Sequence, residues 1–274
     1  MIPKVIHYCW FGENPMPDTV RRCIESWKKA CPDYEIRLWN ETNFDLQTCP
    51  YVSEAYDAER WAFVSDYARL KIIYENGGVY LDTDVELLRS LDTLLSDGCF
   101  LGTEESDKGG FINTGLGFGA EKKHYIIKKM MEEYEGIHFR ISDIMYDTMP
   151  CPRRNTRPLY RMGFRYNPDS IWRNENVSVY PPEYFSPLSY VTGEMHITEK
   201  SYSIHHYAAL WKSAEEIEAE KKIEQLNKNP LTYQLAKQWI QYRTIKSAAK
   251  SKCFITYLLA KMKVKVIGNV KRNS

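Results

Sequence analysis

Apolar and polar positions alternate in short blocks along the chain, and the blocks switch between two periods. Residues 4–8 form a brief apolar run that predicts a buried strand, ending in Trp10-Phe11-Gly12. Over residues 19–29, Val20, Ile24 and Trp27 recur at helical spacing, and Asp18 stands where a capping residue is expected. Pro32-Asp33 ends that helix, and residues 34–39 alternate as a second strand. Residues 52–76 predict one or two helices that stop at Gly77, with Gly78 completing the turn. Residues 79–81 then predict a third strand, residues 100–103 and 111–120 further strands, and residues 122–134 a helix. Residues 137–176, rich in Arg, Pro and Asn, show no clear period. Two late strands are expected at residues 177–180 and 203–206, followed by helices over 213–227 and from Pro230 to about 263.

Strand and helix patterns that alternate from the start predict an α/β fold with a mostly parallel central sheet flanked by helices. In such sheets ligands bind beyond the carboxyl ends of the strands. That end of the third strand carries Gly77-Gly78-Val79-Tyr80-Leu81-Asp82-Thr83-Asp84-Val85-Glu86. On a strand, Asp82 and Asp84 would point the same way, and two converging carboxylates resist burial unless a cation sits between them. An all-oxygen site of this kind suits Mg²⁺ or Mn²⁺ shared with a phosphate-bearing ligand. Three other readings compete for the same residues. A calcium loop needs further oxygen ligands and a central glycine, which Val85 and the preceding strand oppose. A haloacid-dehalogenase-like phosphatase would place Thr or Val where Glu86 stands, and a solvated strand end needs no ligand at all.

Upstream, Asp66 and Arg69 lie three apart in an apolar and aromatic helix, on one face. A buried pair must complete its hydrogen bonds, and a sugar with several hydroxyls could do so; an ordinary intrahelical ion pair is the plainer alternative.

The charge balance, 37 Lys+Arg against 36 Asp+Glu, hides an asymmetry. Residues 225–274 carry eleven basic side chains and no acidic one, leaving 26 basic against 36 acidic residues before them. In that segment Leu231, Leu235, Trp239, Tyr242, Phe254 and Tyr257 interleave with the lysines and arginines. A basic amphipathic stretch with aromatics fits an anionic membrane surface, at about 1 kcal/mol per basic residue; a helix packed on the catalytic body with a solvated basic face fits equally. Nucleic acid is not an expected partner, because the acidic body would repel phosphate. The seven cysteines are odd in number and scattered without a C-x-x-C pair, which indicates neither a zinc site nor a disulfide framework. The opening residues lack an apolar leader, so the expectation is a cytoplasmic protein with reduced thiols, peripheral on the inner face of the plasma membrane.

Several motifs in order carry a resemblance. Ile2-Pro3-Lys4-Val5-Ile6-His7-Tyr8-Cys9-Trp10-Phe11-Gly12, Ser26-Trp27, Pro32-Asp33-Tyr34-Glu35-Ile36, Ala62-Phe63-Val64-Ser65-Asp66-Tyr67-Ala68-Arg69 and Gly77 to Asp84 resemble the bacterial D-x-D sugar-binding glycosyltransferases, glycosyltransferase family thirty-two. The resemblance covers roughly residues 1–212, which sets the expected catalytic domain, with residues 213–274 as a basic helical extension. It implies a GT-A fold, a nucleotide-sugar donor (commonly UDP-linked), Mn²⁺ or Mg²⁺, and retention of anomeric configuration. By position, Asp84 resembles the direct metal ligand and Asp82 the residue that contacts ribose and metal. Asp66 and Arg69 resemble the pair that holds the donor hexose, and Asn113 the polar residue beside the transferred sugar. His7, Tyr8 and Trp10 look like the wall against the uracil and ribose. Ile204-His205-His206-Tyr207 followed by Trp211 resembles the closing segment, in which a late residue completes the metal shell and a Trp caps the diphosphate. Adjacent histidines on a strand face opposite ways, so one of the two reaches the metal, and His206 is the slight favourite over His205. The chain departs from the family at Met149-Pro150-Cys151-Pro152-Arg153-Arg154-Asn155-Thr156, where a Thr-Gly-Pro-like turn is expected and acceptor loops usually lie.

The resulting expectation is a retaining, metal-dependent hexosyltransferase, with galactose as the preferred sugar on family habit. Its acceptor is expected to be a lipid-linked oligosaccharide in surface (capsular) polysaccharide synthesis. A toxin-like transferase with a protein acceptor is the alternative, and a non-catalytic sugar- or metal-binding module the remaining one.

Overall fold

A computed structural model describes residues 1–106, 109–142, 145–189 and 192–208. The helices expected over 213–263 therefore lie outside the described residues. Residues 1–139 and 148–208 form one unit, and residues 140–147 belong to a second.

In the first unit the chain runs β1 (Val5–Cys9), α1 (Asp18–Ala30), β2 (Glu35–Trp39), α2 (Pro50–Asp57), α3 (Trp61–Asn76), β3 (Gly78–Tyr80), β4 (Val85–Leu87), β5 (Cys99–Ser106), β6 (Gly109–Ile112), β7 (Phe118–Ala120) and α4 (Tyr125–Glu132). The second unit contributes an antiparallel pair, β8 (Arg140–Ser142) with β9 (Met145–Tyr146). The first unit resumes with α5 (Cys151–Arg161), β10 (Trp172–Asn174), β11 (Val177–Tyr180), α6 (Pro182–Phe185) and β12 (Ser203–His205).

The main sheet has the order β10-β11-β5-β7-β3-β1-β2, with β6 paired to the far half of β5. β2, β1, β3, β5 and β11 share one direction, while β7 and β10 run against it. The sheet is thus mostly parallel, and helices cover it, as the alternating pattern predicts. A separate two-stranded ladder, β12 with β4, sits just past the end of β3.

α3 explains how a helix can bury charge. Val64, Tyr67, Ala68, Leu70, Ile72 and Ile73 are buried around its circumference together with Asp66 and Arg69. It packs on β1 and β3 and between α2 and α4, so almost none of its faces meets water. Gly77 (φ +70°) ends it, and Gly78 (φ +103°) starts β3 at once. A Cβ on Gly78 would lie 2.8 Å from the Val5 carbonyl oxygen and 2.9 Å from His7 Nε2, so only glycine lets β3 close against β1 here.

The Ser26-Trp27 pair fastens the strand that follows the two aspartates. Trp27 is fully buried and its Nε1–H donates to the Val85 carbonyl at 2.7 Å, while Ser26 Oγ accepts from the Leu87 N–H at 2.9 Å. Helix α1 thereby fixes both ends of β4.

Two expectations are corrected and one open stretch is filled. Asp18 is the first residue of α1, not its cap: Pro17 occupies that position and offers no side-chain acceptor. Asp18 instead lies in the first turn, where its charge meets the positive end of the helix dipole. Helix α4 begins at Tyr125, three residues later than expected, with His124 Nδ1 accepting from the Ile126 N–H at 3.3 Å. The unassigned stretch contains α5, whose Pro152 falls in the first turn, where a missing N–H costs nothing.

Candidate active site

The two aspartates leave the strand before they meet. β3 ends at Tyr80, and Asp82 to Asp84 form a turn closed by the Val85 N–H on the Asp82 carbonyl at 3.0 Å. The convergence expected from strand pleating is therefore produced by a turn, and the ladder beside it supplies a third group. β12 pairs antiparallel with β4, with His205 opposite Val85. His205 Nε2 lies 3.1 Å from Asp84 Oδ1, and the imidazole is buried. One ligand atom each from Asp82, Asp84 and His205 falls within 4.8 Å of the others, and this is the metal-competent group among the described residues.

His206 faces the other way, with Nε2 2.9 Å from Glu86 Oε2 in an exposed pair. The expected preference for His206 is thus reversed: the structure sets His205 beside the aspartates. The backbone of residue 206 still contributes, because its N–H donates to the Asp84 carbonyl at 3.0 Å. A further N–H, from Ala208, donates to Asp84 Oδ2 at 2.9 Å.

The electrostatics of the group suit a cation. Burial opposes ionisation of Asp84, but the His205 charge and hydrogen bond outweigh it and hold the carboxyl below its ordinary value. For Asp82 burial prevails over Arg69, and its neighbour Asp84 adds to the rise, to about 6. His205 Nδ1 is buried with no hydrogen-bond partner among the described residues. Two carboxylates, an imidazole and net negative charge suit Mn²⁺ or Mg²⁺, with imidazole favouring the former.

A second cluster adjoins the first through Asp82. Arg69 Nη2 is 3.1 Å from Asp66 Oδ1 and 3.2 Å from Asp82 Oδ1, and its Nε–H donates to the Ser65 carbonyl at 3.0 Å. Tyr80, two residues before Asp82 and so on the same side of the chain, donates its O–H to Asp82 Oδ1 at 3.1 Å. Its ring lies 5.1 Å from the guanidinium carbon. Asp66, Arg69 and Asp82 therefore form one network, not an isolated intrahelical pair.

Asn113 closes the opposite side. Its Oδ1 accepts from the Gly115 N–H at 2.7 Å and its Nδ2 donates to Glu104 Oε2 at 2.7 Å. Gly115 is required by crowding: a Cβ there would sit 2.4 Å from Asp82 Oδ2 and 3.1 Å from Arg69 Nη1.

The expected nucleotide wall is only partly at the surface. His7 is fully buried: Trp39 Nε1–H donates to its Nδ1 at 3.0 Å, which leaves Nε2–H to donate to the Gly77 carbonyl at 3.0 Å. Tyr8 is buried against Trp27, with ring centroids 5.5 Å apart. A sheet covered on both faces buries both sides of a central strand, so His7 is a core histidine and not a ligand contact. Trp10, half-buried, donates Nε1–H to the Asn14 carbonyl at 2.6 Å and keeps an accessible face. Trp211 lies outside the described residues. Burial lowers His7 from 6.5 to about 4. The fold favours neutral His7, so its contribution is complete above pH 6.5 and is lost as pH falls towards 4, at about 3 kcal/mol in total. Urea unfolding across that window should show the loss, and His7→Gln should flatten it.

Glu104, Tyr80 and Gly115 belong to the site without a role there having been expected of them. Tyr80 was legible in principle, since position i−2 from Asp82 shares its side of the chain. Nothing in the local pattern marks Glu104.

Fold and site together define a class: an α/β protein with an Asp-Asp-His cation cluster and a buried Asp-Arg pair, side by side beyond the end of a central strand. Residues 17–101 match the family described as "Glycosyltransferase sugar-binding region containing DXD motif". That segment holds Asp66, Arg69, Asp82 and Asp84. Inositol phosphoceramide mannosyltransferase 3 of Schizosaccharomyces pombe is 31% identical over 161 residues, which cover 54% of this chain and 43% of that protein. Inositol phosphoceramide mannosyltransferase 1 of the same yeast is 26% identical over 211 residues, 70% of this chain and 61% of the relative. The chain thus spans about half the length of these curated relatives. Among solved structures, a glycosyltransferase involved in glycosylation of the major capsid of PBCV-1 aligns with a TM-score of 0.44 and 17% identity, over 80% of this chain and 100% of the other.

Proposed function

We propose that the protein is a metal-dependent GT-A-type glycosyltransferase that moves a hexose from a nucleotide sugar to an acceptor hydroxyl with retention of configuration. The observation that carries this reading is the junction at Asp82, where the Asp66–Arg69 pair meets the Asp84–His205 pair. One side of the junction has the hydrogen-bonding capacity to hold sugar hydroxyls, and the other has the charge to hold a cation.

Asp82, Asp84 and His205 would hold Mn²⁺ or Mg²⁺, and the ion would supply positive charge to neutralise a leaving diphosphate. Arg69 opposes the rise that burial imposes on the Asp66 and Asp82 carboxyls and fixes their orientation. Asn113, held at both ends of its amide, presents a fixed polar surface beside them. Trp10 offers its accessible face to the base.

The acceptor reading is a lipid-borne one. Both fungal relatives named above carry inositol phosphoceramide in their names, which adds mannose to the galactose expected from the sequence. Residues 225–274, with eleven basic side chains, suit an anionic membrane surface on the cytoplasmic side. A bacterial surface polysaccharide is one such acceptor; a protein acceptor is the second reading.

The test incubates the full chain with UDP-galactose, GDP-mannose and a panel of other UDP- and GDP-sugars, with Mn²⁺, Mg²⁺ or EDTA. Acceptor lipid is supplied in anionic or neutral vesicles. Metal-dependent donor hydrolysis is expected without acceptor, with faster turnover on anionic vesicles. Inertness towards every donor would overturn the transferase reading, and equal vesicle activity after removal of residues 225–274 would overturn the membrane part.

A further inference from the structure

Glu104 is an acid where packing asks only for an acceptor. It stands on β5, on the same face as Phe100, which stacks on Phe185 of α6 at 5.8 Å. The residue after Phe185, Ser186, has its Oγ 2.8 Å from the Tyr207 hydroxyl. That hydroxyl in turn donates to Glu104 Oε2 at 3.3 Å, and Asn113 Nδ2 donates to the same oxygen at 2.7 Å. Both donors fall on Oε2. Oε1 accepts from no described residue and is not fully enclosed.

A glutamine would satisfy Asn113 and Tyr207 equally well, since one amide oxygen accepts two hydrogen bonds. It would do so without the cost of a half-buried charge, a cost that burial registers by raising the Glu104 carboxyl above its ordinary value. Structure alone therefore does not call for a carboxylate. Metal binding does not explain it either, because the group of ligand atoms within 4.8 Å of one another consists of Asp82, Asp84 and His205.

Its place in the site supplies the explanation. Asn113 joins Glu104 to Gly115, whose Cα abuts Asp82 and Arg69. Tyr207 joins it to His205, with ring centroids 4.2 Å apart, and so to Asp84. Glu104 thus closes a ring of contacts that has the sugar-side pair on one arm and the cation-side pair on the other.

We propose that Glu104 is a sugar-recognising residue, anchored through Oε2 by Asn113 and Tyr207, with Oε1 free to accept a hydrogen bond from a hydroxyl of the transferred hexose. The inference rests on the glycosyltransferase reading and adds to it a specificity-determining group. An ionised acceptor binds a neutral hydroxyl more strongly than an amide does, and a site built around that bond discriminates against donors that lack it.

The test compares nucleotide sugar with nucleoside diphosphate. Calorimetric titration of the full-length protein in Mn²⁺ uses UDP, GDP, UDP-galactose and GDP-mannose. Wild type should bind one nucleotide sugar more tightly than its diphosphate. Glu104→Gln, which keeps the anchor on Asn113 and Tyr207, should weaken that sugar about tenfold and leave the diphosphate within about twofold. Glu104→Ala, checked for an unchanged melting temperature, should weaken it at least as much. Equal losses for sugar and diphosphate would show a merely structural role and overturn the inference, as would unchanged affinity for both. A wild-type protein that binds none of the four ligands would instead overturn the transferase reading itself, and the inference with it.

Discussion

Arg69→Met is expected to destabilise the protein by about 3–5 kcal/mol, the cost of removing one partner from a buried ion network. Arg69 is 4% exposed and its Nη2 serves Asp66 at 3.1 Å and Asp82 at 3.2 Å, so its loss strands two carboxylates at once. Methionine fills most of the volume, which separates the charge effect from a cavity effect. The guanidinium also lies over the Tyr80 ring at 5.1 Å and donates to the Ser65 carbonyl at 3.0 Å, contacts that hold the end of β3 against α3. Arg69→Lys restores the charge but not the fork that reaches Asp66, Asp82 and Ser65 together, so it should recover only part of the loss. Urea unfolding of the three proteins decides the matter. A loss below about 1 kcal/mol in Arg69→Met would mean that Asp66 and Asp82 do not depend on the arginine.

The same pair shows what could be read from sequence. The helical period put Asp66 and Arg69 on one helix face and the apolar run put Asp82 at a strand end, while only the family resemblance brought the three to one site. Their shared hydrogen bonds were not legible, because spacing along α3 says nothing about which element packs across it. Strand alternation likewise separates His7 from Tyr8, and His205 from His206, without saying which face is core. For β1 both faces are covered, which turned an expected ligand wall into a buried histidine and a buried tyrosine. For β12 the antiparallel register with β4 decides, and it delivers His205.

Helix α5 escaped for a different reason. Its inward side carries Cys151, Arg154, Asn155, Thr156, Pro158 and Leu159, a mixture in which half the buried positions are polar. Asn155 Nδ2 donates to Thr114 Oγ1 at 2.9 Å and Thr156 Oγ1 accepts from the Ile112 N–H at 2.9 Å, so these residues are buried to brace the segment around Asn113. Hydrophobic periodicity cannot find a helix whose buried face serves a polar site. The same logic hid Glu104, whose role depends on partners nine and more than a hundred residues away.

Asp84→Asn is expected to lower metal-dependent donor cleavage by at least about a thousandfold, the scale of losing the electrostatic stabilisation of a leaving group. The substitution keeps the side chain's shape and its oxygen for the Ala208 N–H at 2.9 Å, and removes only the charge that faces His205 at 3.1 Å. Two consequences should separate. Without metal, the variant loses a buried ion pair in which each partner favours the other's charged form, and stability should fall by a few kcal/mol at most. With metal, wild type should gain melting temperature as Mn²⁺ is added, because the cation binds the folded state selectively, whereas the variant should gain little. The melting shift needs no donor and no acceptor, so it tests the cation site apart from the reaction. A variant that still cleaved donor at the wild-type rate under saturating Mn²⁺ would remove Asp84 from the metal site. An unchanged melting shift with abolished cleavage would remove Asp84 from cation binding and leave it a role in the reaction alone.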